Sequence, residues 1–322
     1  MINIIFAIGT IIILIAYFQV ARRFEILDYP NHRSSHTKPI IRGAGILFPI
    51  VFVIYYSIFN PNWPYFLLGF LFVSIISFID DIKTLSSKSR FFVQCLSCIL
   101  IAYQIDLIFD IDWYFYVLIP LLVLSVINAF NFMDGINGIT GLYALVTLVS
   151  IYFLREYLKS YLDYELLNWL MLSCFAFLFF NFRNRAICFG GDVGSISISF
   201  IIIFLILIIV FVSNNYKYLF FLFVYGLDTA YTILFRKIRG EKLTEAHRLH
   251  LFQLLVHEYK LNHLMVSLLY GVTQLLLNIW IINFEGSIFI FFLPFSILMI
   301  LMELLRNKIK YSIFAHASFN NK

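Results

Sequence analysis

Eleven apolar runs, each ended by a short polar loop, constrain this 322-residue chain more than any other feature. They fall near residues 2–20, 43–59, 65–79, 91–105, 113–130, 139–154, 166–180, 194–213, 217–235, 263–282 and 287–305. In hydrocarbon every backbone amide and carbonyl must find a protein partner, so such runs read as helices. Several are shorter than the roughly twenty residues a crossing needs, so their true ends extend into the loops. The residues are 62% hydrophobic and 13% charged, with a mean hydropathy of +0.91. The predicted fold is therefore an all-α polytopic bundle of about eleven transmembrane helices, one domain over residues 1–322. The sequence shows no internal repeat, low-complexity tract or separate soluble domain.

Charge placement orients the bundle. Of the 23 lysines and arginines, 20 fall in segments 21–42, 80–90, 181–193, 236–262 and 306–322, while 131–138 has none. Only Arg155, Lys159 and Lys217 fall on the other side, where Asp106, Asp110, Asp112, Glu156, Asp163, Glu165 and Glu285 lie. Basic residues are retained inside, so this pattern predicts an outer N-terminus, a cytoplasmic C-terminus and polar motifs on the cytoplasmic face. The net charge of +5 follows topology rather than forming a nucleic-acid surface, and the 38 phenylalanines suit lipid-facing helices. Cys95, Cys98, Cys174 and Cys188 form neither a disulfide framework nor a two-pair metal spacing, and read as buried thiols. The first apolar run lacks a small-residue cleavage site before Arg22 and Arg23, so it reads as a retained helix.

The polar loops carry the chemistry. At the end of the fifth run, Asn128, Asn131 and Asp134 recur every three residues, which groups them on one face of a helix's last turn. Gly135, Asn137 and Gly138 follow, and the glycines allow the chain to leave the helix. Asp80 and Asp81 stand together at another boundary with Lys83, Lys88 and Arg90 behind them. Two adjacent carboxylates there are costly unless a cation or a divalent metal is near. In the first inner loop Arg33, His36, Lys38 and Arg42 could surround a polyanion, or simply face water. Gly190, Gly191, Asp192, Gly194 and Ser195 open the eighth run. That pattern lets phosphate or metal approach the positive end of a helix, with Ser195 available as its cap. His247, Arg248 and His250 cluster in the longest basic loop, a set better suited to phosphate than to structural zinc. Asp228 sits within the ninth run, where an acid is either functional or paired with an arginine on another helix.

Five motifs in this order resemble the polyprenyl-phosphate N-acetylhexosamine-1-phosphate transferases, glycosyltransferase family 4, from Asp28 to about Leu255. They are Asp28-x-Pro-Asn-x-Arg-Ser-Ser-His36 through Arg42-Gly-x-Gly45, Asp80-Asp81, and Asn128-Ala-x-Asn131-x-x-Asp134-Gly. The other two are Gly191-Asp192-x-Gly194-Ser195 and Ala246-His-Arg-x-His250-Leu-x-Gln253. The resemblance implies one reaction at the inner leaflet of a bacterial cytoplasmic (inner) membrane, with the active site on the loops near 21–42, 80–90, 128–138, 181–195 and 236–262. Undecaprenyl phosphate attacks the sugar-linked phosphate of a UDP-N-acetylated sugar and UMP leaves. By the same resemblance Asn131 and Asp192 hold Mg2+, with Mn2+ a possible substitute. Asp80 and Asp81 position or deprotonate the lipid phosphate. His247, Arg248, His250 and Lys88 meet the phosphates, with Arg42 and Asn128 on the substrates, and Asp134 and Asn137 lie near the nucleotide. The implied partners are the two substrates and membrane lipid, with a homodimer left open and no nucleic acid.

The last motif departs from the family's patterns. It lacks the run of histidines found in the peptidoglycan enzymes, which argues against a muramyl substrate. It also has His247 where GlcNAc-specific members carry Asp, and Phe252 in place of a later His. The pattern looks most like initiators of O-antigen or capsule (lipopolysaccharide and cell-envelope) repeats using 6-deoxy sugars such as UDP-N-acetylfucosamine or UDP-N-acetylquinovosamine. A UDP-GlcNAc enzyme stands as the alternative within the family. Outside it, the rival is a transporter or flippase for a lipid-linked or anionic solute, with a polar path centred on Asp228; a scaffold leaves the acidic motifs unexplained.

Overall fold

The computed structural model describes residues 2–30, 38–242 and 248–320. The helices, in order, are α1 (Ile2–Arg23), α2 (Leu47–Phe59), α3 (Pro64–Ile82), α4 (Ser87–Phe109), α5 (Phe115–Met133) and α6 (Ile139–Phe153). After these come α7 (Arg155–Leu158), α8 (Glu165–Asn181), α9 (Gly191–Ser213), α10 (Phe223–Ile238), α11 (Leu251–His257), α12 (His263–Asn283) and α13 (Ile288–Asn320). The chain is an all-α, multi-pass membrane protein in which, among the described residues, β1 (Leu27–Asp28) pairs antiparallel with β2 (Ile40–Ile41). Among the described residues the eleven apolar runs divide into eight helical segments of spanning length and three shorter ones, Ala44–Phe59, Ile139–Phe153 and Glu165–Asn181. A helix rises 1.5 Å per residue, so these three fall short of a hydrocarbon core about 30 Å thick.

Helix α9 is the axis of the bundle. It has the highest hydropathy of the long helices and is buried on nearly every side. A helix apolar all round belongs in such a position. Helices α3 and α5 pack along it, and Ser74 of α3 meets Ser197 of α9 hydroxyl to hydroxyl at 2.9 Å. The first turn of α9 starts three residues before the apolar run itself, so the glycine-flanked Asp192 lies inside the helix.

The ninth run is broken. Residues Tyr216–Leu222 form a 3-10 helix and α10 follows, so the irregularity lies just before Asp228. Gln274 of α12 repairs the break: it accepts from the Val224 amide at 2.9 Å and donates to the Phe220 carbonyl at 3.1 Å. The Tyr143 hydroxyl accepts from the Tyr225 amide at 3.3 Å. Backbone freed from regular helix within a membrane needs such partners.

The four cysteines are free thiols, and Cys98, Cys174 and Cys188 are buried, as their apolar surroundings require.

Candidate active site

The polar loops meet at one end of the bundle through their backbones. The Phe189 amide donates to the Ile41 carbonyl at 2.7 Å, Ala44 to Phe189 at 3.0 Å and Gly45 to Gly190 at 2.9 Å. This ties the loop after α1 to the loop before α9. The approach leaves no room for side chains, since a Cβ on Gly45 would overlap the Gly194 Cα. On the other flank Asn181 accepts from the Gly138 amide at 2.6 Å and donates to the Cys188 carbonyl at 2.8 Å.

Asp81, at the end of α3, is spent on this architecture. One carboxylate oxygen accepts from the Asp192 amide at 2.9 Å and from Arg42 Nε at 2.8 Å. The other accepts from the Val193 amide at 3.0 Å. Asp81 thereby caps α9 from outside, meeting both its open amides and its positive end. Ser195 does not serve as that cap; its hydroxyl turns back to the Gly191 and Asp192 carbonyls from inside the helix. Gly191 at φ +72° fits this turn, and a Cβ there would collide with the Asp81 carboxylate.

Asp80 faces the other way. Its oxygens accept from the Leu85 amide at 2.6 Å and from Arg90 at 2.8 Å. Arg90, in the first turn of α4, also donates to Asp192 at 2.9 Å, and Arg42 lies 3.8 Å from the other Asp192 oxygen. Five charged side chains thus form one network. The Asp81 and Asp80 side chains are 0% and 5% exposed, whereas Asp192, Arg90 and Arg42 keep 17%, 30% and 33%. Asp192 is the acid with capacity left for a ligand. Burial opposes the Arg42 charge, but Asp81 and Asp192 outweigh it and hold the guanidinium above its ordinary range. Three carboxyl groups face two guanidiniums, and a divalent cation is the natural complement to the acid left over.

Helix α5 brings its asparagines to the same end. Asn128 donates to the Leu124 carbonyl at 2.8 Å and to Gln94 of α4 at 3.4 Å. Asn131, one turn on, is half-buried, and its side chain has no hydrogen-bond partner among the described residues. Asp134 ends the helix and accepts from the Thr140 hydroxyl at 2.7 Å. A Cβ on Gly190 would lie 3.4 Å from its second oxygen, which places Asp134 against the α9 entry. Burial pushes the Asp134 carboxyl up to about 6; the Asp192 charge adds to the shift, while Thr140 and Arg42 oppose it. Asn137 is buried and donates to the Arg183 carbonyl at 2.7 Å. It lines a cavity of about 780 Å³ with Lys38, Asn184, Arg185, Asn262 and His263.

The last motif divides. His250 is buried with its Nδ1 3.4 Å from Asp228, and it opens α11 through a reciprocal capping bond with Gln253. Arg248 is half-buried; burial lowers the His257 pKa, and the Arg248 and Lys260 charges add to that shift. Lys88 is exposed and makes no ion pair among the described residues. Arg33, His36 and His247 lie outside the described residues. Two residues in this region were not singled out from sequence. Arg90 looked like one more inner-loop cation; only the four-residue turn between α3 and α4 brings it back over Asp80. Asn181 sits at the end of an apolar run, and that isolated amide was the available signal.

Residues 63–211, just under half of the chain, match the model of glycosyl transferase family 4. The matched segment holds Asp80, Asp81, Arg90, Asn128, Asn131, Asp134 and Asp192. No curated protein matches the chain. The site also bears on the metal that the resemblance implies. Among the described residues no three His, Cys, Asp or Glu side chains form a ready cage. Mg2+ seldom needs one, because it keeps several waters and takes one or two protein oxygens plus substrate phosphates. The unpartnered Asn131 amide and the partly exposed Asp192 carboxylate are hard oxygen donors of that kind, so the residues fit.

Proposed function

We propose that this protein transfers an N-acetylhexosamine-1-phosphate from a UDP-sugar to undecaprenyl phosphate at the cytoplasmic face of a bacterial inner membrane. The observation that carries this reading is the acid–arginine network of Asp80, Asp81, Arg42, Arg90 and Asp192. Residues from three separate loops converge there, and Asp192 retains exposure. Phosphoryl transfer calls for this combination of fixed cations and excess acid.

The reaction needs two sites on either side of the network, and two cavities suit them. A largely apolar groove of about 700 Å³ runs between α5 and the broken ninth run, with Val126, Phe130, Leu219, Phe223 and Gly226 on its walls. Asn128 lies on it, which suits a polyprenyl chain whose phosphate lies toward Asn131. The polar cavity beside Asn137, with Lys38 and Arg185, suits the nucleotide end. A lipid phosphate oxygen then attacks the sugar-linked phosphorus of the donor. The bond from that phosphorus to the bridging oxygen breaks, and UMP leaves with the electron pair.

Asn131 and Asp192 would hold Mg2+, which when bound supplies charge neutralisation of the diphosphate. Arg42 and Arg90, each about a third exposed, neutralise phosphate charge beside Asp192. Arg248 is a further cation for the sugar-linked phosphate. Asp81 acts as a fixed strut, since three N–H donors occupy its oxygens. A lipid phosphate is already largely ionised near pH 7, so a carboxylate base is dispensable. Departures in the last motif favour a 6-deoxy donor such as UDP-N-acetylfucosamine or UDP-N-acetylquinovosamine, for the first step of an O-antigen or capsule repeat. The transporter alternative finds less support: Asp228, on which it would turn, is fully buried and paired with Arg306.

The test is UMP release by detergent-purified protein with undecaprenyl phosphate, Mg2+ and a panel of UDP-N-acetylhexosamines and their 6-deoxy forms. Lipid-dependent release with one donor is the expected result. Silence across the panel from folded protein, beside an active family 4 control, would count against the transferase reading.

A further inference from the structure

Helix α13 lies beyond the segment matched to family 4, and most of its spanning part is exposed on the bundle's outside. Arg306 breaks that pattern, for it is 2% exposed. An arginine in such surroundings must be closely paired. One of its terminal nitrogens donates to the Thr232 hydroxyl at 3.2 Å and the Leu249 carbonyl at 3.3 Å. The other donates to the Asp228 carbonyl at 3.4 Å and pairs with the Asp228 carboxylate. The guanidinium also lies 4.2 Å from the centre of the Tyr231 ring.

Asp228 completes the arrangement. Its two oxygens accept from the Leu251 amide at 3.0 and 3.1 Å, one of them also takes the Tyr270 hydroxyl at 2.5 Å, and the other lies 3.4 Å from His250. The Leu249 carbonyl is thus held by α13 and the Leu251 amide by α10. This staked peptide begins one residue after Arg248.

We infer that Arg306 and Asp228 are a positioning pair, which fixes Leu249–Leu251 and thereby presents the Arg248 cation to the sugar-linked phosphate. The inference rests on the transferase reading for its catalytic consequence. Packing alone does not call for such a pair, because buried ion pairs can often be replaced by apolar side chains without loss of stability. Two of its contacts go to the backbone of the loop that carries Arg248. Misplacing a catalytic group by about 1 Å can cost on the order of a hundredfold in rate. A C-terminal helix outside the family segment would then set the geometry of the last motif.

The experiment compares full-length parent, Arg306→Ala and Arg306→Lys in detergent. It reads amide hydrogen exchange over 248–256, with α12 as internal reference, and steady-state UMP release. In Arg306→Ala, exchange over 249–256 should rise about tenfold or more relative to α12. KM for the UDP-sugar should rise about tenfold and kcat fall, with KM for the lipid phosphate unchanged, a split expected when orientation is lost. Added guanidinium ion should partly restore both readouts, and Arg306→Lys should fall between parent and Ala. Unchanged exchange over 249–256 in folded Arg306→Ala, or in Arg306→Lys if the alanine variant does not fold, overturns the inference. Equal rises in both KM values with faster exchange everywhere would also overturn it, by marking Arg306 as merely structural. A parent that releases no UMP rejects the transferase reading, while the exchange measurement still decides whether the pair holds the loop.

Discussion

Two aspartate–arginine clusters stand in the same bundle, and they differ in how far their groups are satisfied. Around Asp228 and Arg306 both side chains are nearly inaccessible, and the acid is filled by an arginine, a tyrosine and a backbone amide. Around Asp192 the acids outnumber the arginines, and Asp192, Arg42 and Arg90 all keep exposure. A sealed, balanced cluster holds structure together. An open cluster with surplus acid has interactions left to give to a ligand, and this contrast is why the proposed reaction is assigned to Asp192 rather than to the intramembrane acid.

The largest effect should come from the open cluster. Asp192→Asn keeps shape and one acceptor oxygen, yet removes a charge that would hold the metal. Loss of several kcal/mol of transition-state stabilisation corresponds to a fall in UMP release of roughly a thousandfold. Thermal unfolding in detergent should shift little, because the side chain is partly exposed. Chelation of divalent cations should reproduce the loss in the parent. A variant that turns over at the parental rate would reverse the assignment of the two clusters.

The sealed cluster should respond in stability. Asp228→Asn leaves Arg306 buried without its counter-charge, and breaking one side of such a pair costs about 3–5 kcal/mol. Asp81 sharpens the comparison, since it belongs to the open cluster by position and to the sealed type by bonding. Asp81→Ala should therefore destabilise by a similar amount, read as a lower unfolding midpoint and faster amide exchange in the first turn of α9. If Asp81→Ala unfolds like the parent, its carboxylate is not the strut described above.

Much of this was legible in the sequence, for reasons visible at particular residues. Long apolar runs report helices because lipid leaves few alternatives, and the polytopic all-α bundle follows. Asn128, Asn131 and Asp134 lie at the end of one helix because their spacing matches its repeat. Partnership was less legible. Asp80 and Asp81 are identical neighbours in sequence, yet one turns to Arg90 and the other to the α9 amides. Nothing local distinguishes them; the loop from 83 to 86 and the close approach of Gly45 to Gly194 decide it. His250 reads from its motif as a phosphate ligand, but its neighbour in space is Asp228. Helix length was also partly hidden, since composition cannot tell a short apolar helix from a full crossing.

Asp134 offers the smallest effect and the finest test of the contrast. Its carboxyl titrates at about 6 in the fold, above an ordinary aspartate near 3.9. The folded protein therefore holds this proton more tightly than the unfolded chain does. Asp134's favourable contribution is complete below the unfolded value and is lost as pH rises through about 6. Above that point the ionised side chain costs stability, by no more than about 3 kcal/mol for a shift of this size. Asp134→Asn keeps an acceptor for Thr140 and removes the charge beside Asp192. It should raise the unfolding midpoint at pH 8 and leave it unchanged at pH 4. The acid limb of kcat/KM should lie near pH 6 in the parent and vanish in the variant. The same change, aspartate to asparagine, then stabilises at Asp134 and destabilises at Asp228. Opposite signs follow if the open cluster stores electrostatic cost for use on a substrate; like signs at pH 8 would mean that Asp134 is bound into the structure as firmly as Asp228.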